Sequence, residues 1–188
     1  MYFREFGTPA RIGRCTSKEE IEALVDKHNG KTNCYASVYV FDNLRDIEGK
    51  TDYDSAIIDT IWFDFDDNTN VKKCLLDVRK FIRKYCKPRD ITPRIYLTGG
   101  KGFQMNIDFP DNLKRKLLRD YLMHLKQEYK LKTLDERCIN NSVSCLRRIP
   151  NTAYLSKITL EPTGVYCVGL SVEEVMKLDI EEIYGLAM

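Results

Sequence analysis

The chain has 188 residues, with 30 Lys and Arg against 28 Asp and Glu, a formal charge of +2; it is 43% hydrophobic and 11% aromatic. That length suits one domain over 1–188, arranged as two lobes, and the composition excludes intrinsic disorder. No run of about 18 apolar residues occurs and the first residues lack a basic stretch followed by an apolar one, so an intracellular chain with no membrane partner is expected.

Ser17-Lys18-Glu19-Glu20 reads as a capping box. It opens a helix over about 18–28 that Asn29-Gly30 closes. Residues 34–41 are β-branched and aromatic and predict a strand, 43–55 a polar loop, and 56–66 a second strand. Val71, Cys74, Leu75, Val78, Phe81, Ile82 and Tyr85 recur at helical spacing, predicting a helix over 70–86 with Lys72, Lys73, Lys80, Arg83 and Lys84 on its surface. Pro88 and Pro93 end that pattern. Residues 94–98 and 103–109 read as strands of a hairpin joined by Gly99-Gly100-Lys101-Gly102. Asp111 can cap a helix over about 112–129, with Leu117, Tyr121, Leu122, Leu125 and Tyr129 inward. Strands near 142–149 and 164–168 follow, and Ser171-Val172-Glu173-Glu174 caps a last short helix. The mixture predicts an α+β fold: a mixed, largely antiparallel sheet with packed helices.

Seven cysteines, at 15, 34, 74, 86, 138, 145 and 167, include no pair two or three residues apart. The paired knuckles of a zinc site are missing, so no zinc is expected, and the cysteines read as small buried hydrophobes in a reducing cytosol. The near-neutral charge is a cancellation of blocks. Residues 42–67 carry nine acids against two bases, 72–94 nine bases against two acids, 111–157 eleven bases against five acids, and 161–188 six acids against one base. Blocks of one sign can form separate sites, so +2 does not exclude a nucleic-acid partner.

Three segments carry chemistry. In Trp62-Phe63-Asp64-Phe65-Asp66-Asp67, side chains alternate across a strand. Asp64 and Asp66 then share one face, roughly 7 Å apart, while Phe63 and Phe65 enter the core. Two carboxylates there make a hard-oxygen site for Mg²⁺ or Mn²⁺, or else a solvated strand end; the apolar run before them makes unligated charge costly. Asp67 falls on the other face and reads as a turn residue. The second segment, Thr98-Gly99-Gly100-Lys101-Gly102-Phe103-Gln104, is either a phosphate cradle of successive N–H groups or an ordinary hairpin turn. It is not a P-loop, because Ile95 stands where the first glycine belongs and Gly102 follows the lysine. The third is Leu134-Asp135 followed by Arg147-Arg148-Ile149-Pro150. A lone acid after a basic helix is ordinarily a surface residue, but paired arginines in an apolar strand suit phosphate through their planar forks.

In this order the three segments resemble the archaeo-eukaryotic primase superfamily, the small-subunit primases and primase-polymerases. The strand-borne Asp-x-Asp matches at Asp64 and Asp66. The second motif (hydroxyl, Gly, two variable residues, Gly, aromatic, His) matches from Thr98 to Phe103. The third matches at Leu134-Asp135 and Arg148-Ile149-Pro150. The matches span 64–150. One departure stands out: Gln104 occupies the place of the family's nucleotide-binding histidine, and Gln cannot carry positive charge.

The resemblance implies a primase-polymerase core with an RRM-like catalytic lobe and an N-terminal αβ lobe. It implies template-dependent nucleotidyl transfer, by in-line attack of a 3′-hydroxyl on a nucleotide α-phosphate. Asp64, Asp66 and Asp135 would be the catalytic ligands of two Mg²⁺ or Mn²⁺ ions. Thr98, Gly99, Gly100, Lys101, Gln104 and Arg148 would hold the nucleoside triphosphate, with Lys157 a further phosphate contact. The basic blocks, with Lys80, Arg83 and Lys84 foremost, would bind a single-stranded or primed DNA template. Plasmid and viral relatives often carry a helicase, a further expected partner. Two other readings stay open: a catalytically silent nucleotide- or nucleic-acid-binding module, marked by Gln104, and a metal-dependent nuclease using Pro110-Asp111 with Glu128-Tyr129-Lys130. The helical period over 112–129 disfavours the nuclease.

Overall fold

The computed structural model describes residues 2–45, 49–109 and 115–188. Among them the strands are β1 (Arg4–Gly7), β2 (Arg11–Cys15), β3 (Tyr35–Ser37), β4 (Val40–Phe41), β5 (Ala56–Ile57), β6 (Thr60–Asp66), β7 (Arg94–Leu97), β8 (Gly102–Asp108), β9 (Leu146–Arg148), β10 (Ala153–Leu155), β11 (Pro162–Tyr166) and β12 (Val168–Leu170). The helices are α1 (Lys18–His28), α2 (Val71–Phe81), α3 (Arg115–Glu128), α4 (Glu136–Asn140), α5 (Val172–Lys177) and α6 (Ile180–Gly185). Two four-stranded antiparallel sheets organise them, one in the order β2-β1-β3-β9 and one in the order β12-β7-β8-β6. The fold is α+β with antiparallel pairing throughout these sheets, as the sequence predicts.

The second sheet sets the position of everything that follows. Along β6, Ile61, Phe63 and Phe65 are fully buried, and Phe81 of α2 packs on Phe63 with ring centroids 4.8 Å apart. Burying each such ring contributes about 1.5–3 kcal/mol. Alternation then turns Asp64 and Asp66 to the opposite face, away from α2. Gly102 of β8 packs tightly against β6: a Cβ there would stand 1.8 Å from the carbonyl oxygen of Phe65. Only glycine fits there.

The first sheet carries α1 over Phe6, Cys15 and Cys34, joined by Ile21, Leu24 and Val25. The bounds of α1 are as the sequence predicts. Its cap is one-sided: Ser17 Oγ accepts the N–H of Glu20 at 3.3 Å, but the Glu20 carboxylate takes the N–H of Thr16 at 2.6 Å.

Several expectations need correction. The predicted strand over 34–41 is two short strands, β3 and β4, and 56–66 divides into β5 and β6. The helix over 70–86 is α-helical only to Phe81 and closes in a π-turn over Ile82–Cys86. On α3, Leu117 is exposed and Leu118 takes its place in the core, a one-residue phase error in reading the apolar stripe. The cap expected at Asp111 lies outside the described residues. An additional helix, α6, follows α5, with a complete capping box between Asp179 and Glu182. No helix among the described residues is long and apolar enough to cross a membrane.

Candidate active site

Asp64 and Asp66 stand at the end of β6, and a distant segment docks beside them. The N–H of Asp66 donates to the carbonyl of Thr133 at 2.8 Å, and the N–H of Asp135 to the carbonyl of Asp64 at 2.9 Å. Phe65 and Leu134 thus pair as an antiparallel bridge. Leu134 is buried in the main core. Asp77, buried on α2, holds the same segment: its Oδ2 accepts from the N–H of Thr133 at 2.8 Å and from Thr133 Oγ1 at 3.0 Å. The pairing brings Asp135 beside Asp64. Asp135 also caps α4, accepting from the N–H of Arg137 at 2.8 Å.

Electrostatics separate these carboxyls. Burial pushes Asp64 up to about 7, helped by the neighbouring charges of Asp66 and Asp135; a hydrogen bond from Cys138 and the charge of Lys101 oppose the shift only partly. At Asp135 burial works upward too, but the N–H and guanidinium of Arg137 outweigh it and hold the carboxyl below its usual value. Asp66 is paired with Lys101 at 2.6 Å. Lys101 also donates to Asn68 Oδ1 at 2.7 Å. Asp67 turns the chain, accepting from the N–H and hydroxyl of Thr69 and from the N–H of Asn70.

A cleft of about 200 Å³ joins these groups. Asp64, Asp66, Thr98, Gly100, Lys101, Gln104, Asp135 and Arg148 line it, together with Tyr35, Arg137, Tyr154 and Lys157. Gln104 is opposite Asp64 in the β6–β8 register. A larger hollow of about 590 Å³ lies elsewhere, between Glu5, Arg11, Arg14, Lys50 and Tyr53. Among the described residues its one carboxylate, Glu5, is already bonded to Arg11, Thr51 and Tyr53. The cluster of three carboxylates, Asp64, Asp66 and Asp135, lines the smaller cleft.

The nucleotide-holding residues expected from sequence have other ties. Thr98 Oγ1 donates to the carbonyl of Gly102 at 3.0 Å, closing the hairpin. Tyr154 packs over Gly99 and Gly100: a Cβ on Gly99 would meet its Cβ at 2.9 Å and one on Gly100 its ring at 2.8 Å. The glycines make room for an aromatic side chain on that side, while the backbone of Gly100 and Lys101 still lines the cleft. The Arg148 guanidinium lies between the rings of Tyr35 and Tyr154, 5.5 Å from each centroid. It donates to Asn33 Oδ1 and to the carbonyl of Ala153, the latter at 2.7 Å. Its two terminal nitrogens tie the first sheet to β10, while its buried Nε has no partner among the described residues.

Lys80, Arg83 and Lys84 are not among the cleft-lining residues. They lie on α2 and the turn after it, which pack on the apolar face of the second sheet. Lys80 neutralises buried Asp77 at 2.6 Å and donates to the carbonyl of Lys130 at 2.9 Å; Arg83 and Lys84 are exposed. Of the nuclease set, Glu128 ends α3, whereas that chemistry wants its acids on adjoining strands, and Pro110 and Asp111 lie outside the described residues.

Sequence reasoning missed Arg137, Tyr35, Tyr154 and Cys138. Cys138 Sγ is 3.4 Å from Asp64 Oδ2 and 3.8 Å from Asp135 Oδ2. Asp64, Asp135 and Cys138 each present a donor atom within 4.8 Å of the other two, a possible metal site. The available signal was Cys138 three residues after a helix-capping Asp135, hence over the same turn.

No family model matches the chain, and no curated protein matches it by sequence. Its fold is similar to a solved structure, the polymerase domain from Mycobacterium tuberculosis Ligase D in complex with DNA, with a TM-score of 0.52 and 13% identity. The match covers 82% of this chain and 58% of that one, so this chain spans well under two thirds of that domain's length. The fold is that of an α+β domain similar to a primase-polymerase domain.

Proposed function

We infer that the chain performs template-dependent nucleotidyl transfer, joining the α-phosphate of a nucleoside triphosphate to a primer 3′-hydroxyl. The observation that carries this reading is the backbone pairing of Asp135 with Asp64, which gathers three carboxylates from two distant segments into one cleft of a polymerase-like fold. The donor set fits hard divalent ions: Asp64 is half-buried beside two further carboxylates, a charge that is costly unless a cation is held there. In this reading Asp64, Asp66 and Asp135 hold two Mg²⁺ or Mn²⁺ ions. Held by these carboxylates, such ions would lower the pKa of the attacking 3′-hydroxyl and stabilise the negative charge that builds on the departing pyrophosphate.

Lys101 exchanges its bond to Asp66 for a phosphate oxygen of the nucleotide, a short swing because both face the cleft. Gln104 offers an amide N–H beside Asp64 to ribose or phosphate. Arg148 fixes Tyr35 and Tyr154 as walls, and Arg137 and Lys157 are exposed cations at the cleft. The template backbone follows those two charges, with Arg83 and Lys84 reached only by nucleic acid extending beyond the cleft.

The test is incubation with a primed DNA template, nucleotides and Mg²⁺ or Mn²⁺. Lengthened primer supports transfer. Shortened DNA supports the nuclease. Nucleotide binding with no product, even in Gln104→His, supports the silent module.

A further inference from the structure

Two cysteines adjoin the carboxylates instead of lying in the core. Cys138 occupies the first turn of α4, and Cys145 precedes β9; both are free thiols and both are only partly buried. Cys145 Sγ donates to the carbonyl of Cys138 at 3.8 Å. Three donors therefore meet beside the cleft: an oxygen each from Asp64 and Asp135, and the Cys138 sulfur, all within 4.8 Å of one another.

Hard ions such as Mg²⁺ favour all-oxygen shells, whereas Zn²⁺ takes thiolate and carboxylate together in a tetrahedron. With ligand bonds of about 2.0–2.3 Å, the edges of such a tetrahedron run at about 3.3–3.8 Å. The Cys138–Asp64 and Cys138–Asp135 separations, 3.4 and 3.8 Å, already match those edges. We propose that Asp64, Asp135 and Cys138, with water in the fourth position, form a site for a thiophilic divalent ion, Zn²⁺ foremost, that overlaps the carboxylate site. On binding, the Cys138 thiol gives its proton to water and ligates as thiolate, with no change in oxidation state. Because Asp64 and Asp135 are shared, an ion held here excludes a hard ion from them. The cysteine spacing of the sequence hid this site: two of its three protein ligands are acids and only one is a cysteine.

The site stands whether or not the chain transfers nucleotides, so the probe is the metal alone. Co²⁺ is titrated into the full chain and read by absorbance. Expected are a near-ultraviolet thiolate-to-cobalt charge-transfer band and the strong visible bands of tetrahedral cobalt, saturating at one equivalent and erased by Zn²⁺. Cys138→Ser removes the charge-transfer band, and Asp64→Asn weakens Co²⁺ binding at least about tenfold. Circular dichroism confirms folding, and Cys138→Ala replaces Cys138→Ser if that variant unfolds. No charge-transfer band in the wild type, or a band undiminished without Cys138, overturns the proposal. Primer extension without the band would sink this site alone, and the band without extension would sink nucleotidyl transfer alone.

Discussion

The backbone N–H of Asp135 donates to the carbonyl oxygen of Asp64 at 2.9 Å, so the third carboxylate is held by main chain rather than by its own side chain. The pairing survives any side-chain change at 135. Asp135→Asn keeps a capping oxygen for α4 and is expected to alter stability by less than about 0.5 kcal/mol, while Asp135→Ala costs about 1 kcal/mol through the lost cap. Urea denaturation in chelator distinguishes them. An equal loss in both variants would mean that the carboxylate, not the cap, stabilises the metal-free fold.

Asp64 makes the metal-free protein sensitive to pH. Its carboxyl titrates near 7 when folded, against 3.8 for an ordinary Asp. Between those values the folded chain holds a proton that the unfolded chain releases, so stability falls as pH rises through the window and is lowest above it. The full effect is on the order of 4 kcal/mol. Asp135 acts oppositely: its depressed value gives stability that is lost only in acid, below the window. The urea midpoint in chelator should therefore drop from pH 5 to pH 8, and Asp64→Asn should flatten most of that drop. A wild-type profile without slope would contradict the assignment.

Gly102→Ala tests the strand contact beneath the site. A Cβ 1.8 Å from the Phe65 carbonyl forces β6 and β8 apart, at a cost of at least about 3 kcal/mol. Calorimetry should show a lowered Tm, and primer extension should fall with it because Asp64 and Asp66 ride on β6. An unchanged Tm would show that the strands separate freely there.

Template contact should follow the cleft, not the basic block at 72–94. Lys157→Glu is expected to weaken primed-DNA binding and to reduce the slope of log affinity against log salt by about one or more, whereas Lys84→Glu changes little. Fluorescence anisotropy across a salt series reads both. The reverse ranking would return the template to α2.

Local signals are legible in the amino-acid sequence itself. Alternation along 61–66 puts Asp64 and Asp66 on one face and the phenylalanines on the other, and the glycines between 98 and 103 mark the hairpin. Long-range packing is not legible there. Nothing local to 133–135 says that it pairs with β6, because that depends on buried Asp77 holding Thr133 and on Leu134 entering the core. The same limit explains the contacts of Arg148, whose terminal nitrogens bond Asn33 and Ala153 and whose guanidinium lies against two tyrosine rings. It also explains Lys80, whose charge answers a buried carboxylate. Cys138 looks inert as long as metal spacing is sought among cysteines alone.

The central claim is that Asp64, Asp66 and Asp135 act as one metal-dependent site. Single-turnover primer extension with Mn²⁺, compared among the wild type, Asp64→Asn, Asp66→Asn and Asp135→Asn, tests it most directly. The account predicts templated extension by the wild type and a loss of about a thousandfold or more in every variant, with each still folded by circular dichroism. Extension that persists at near wild-type rate in any one of the three would contradict it.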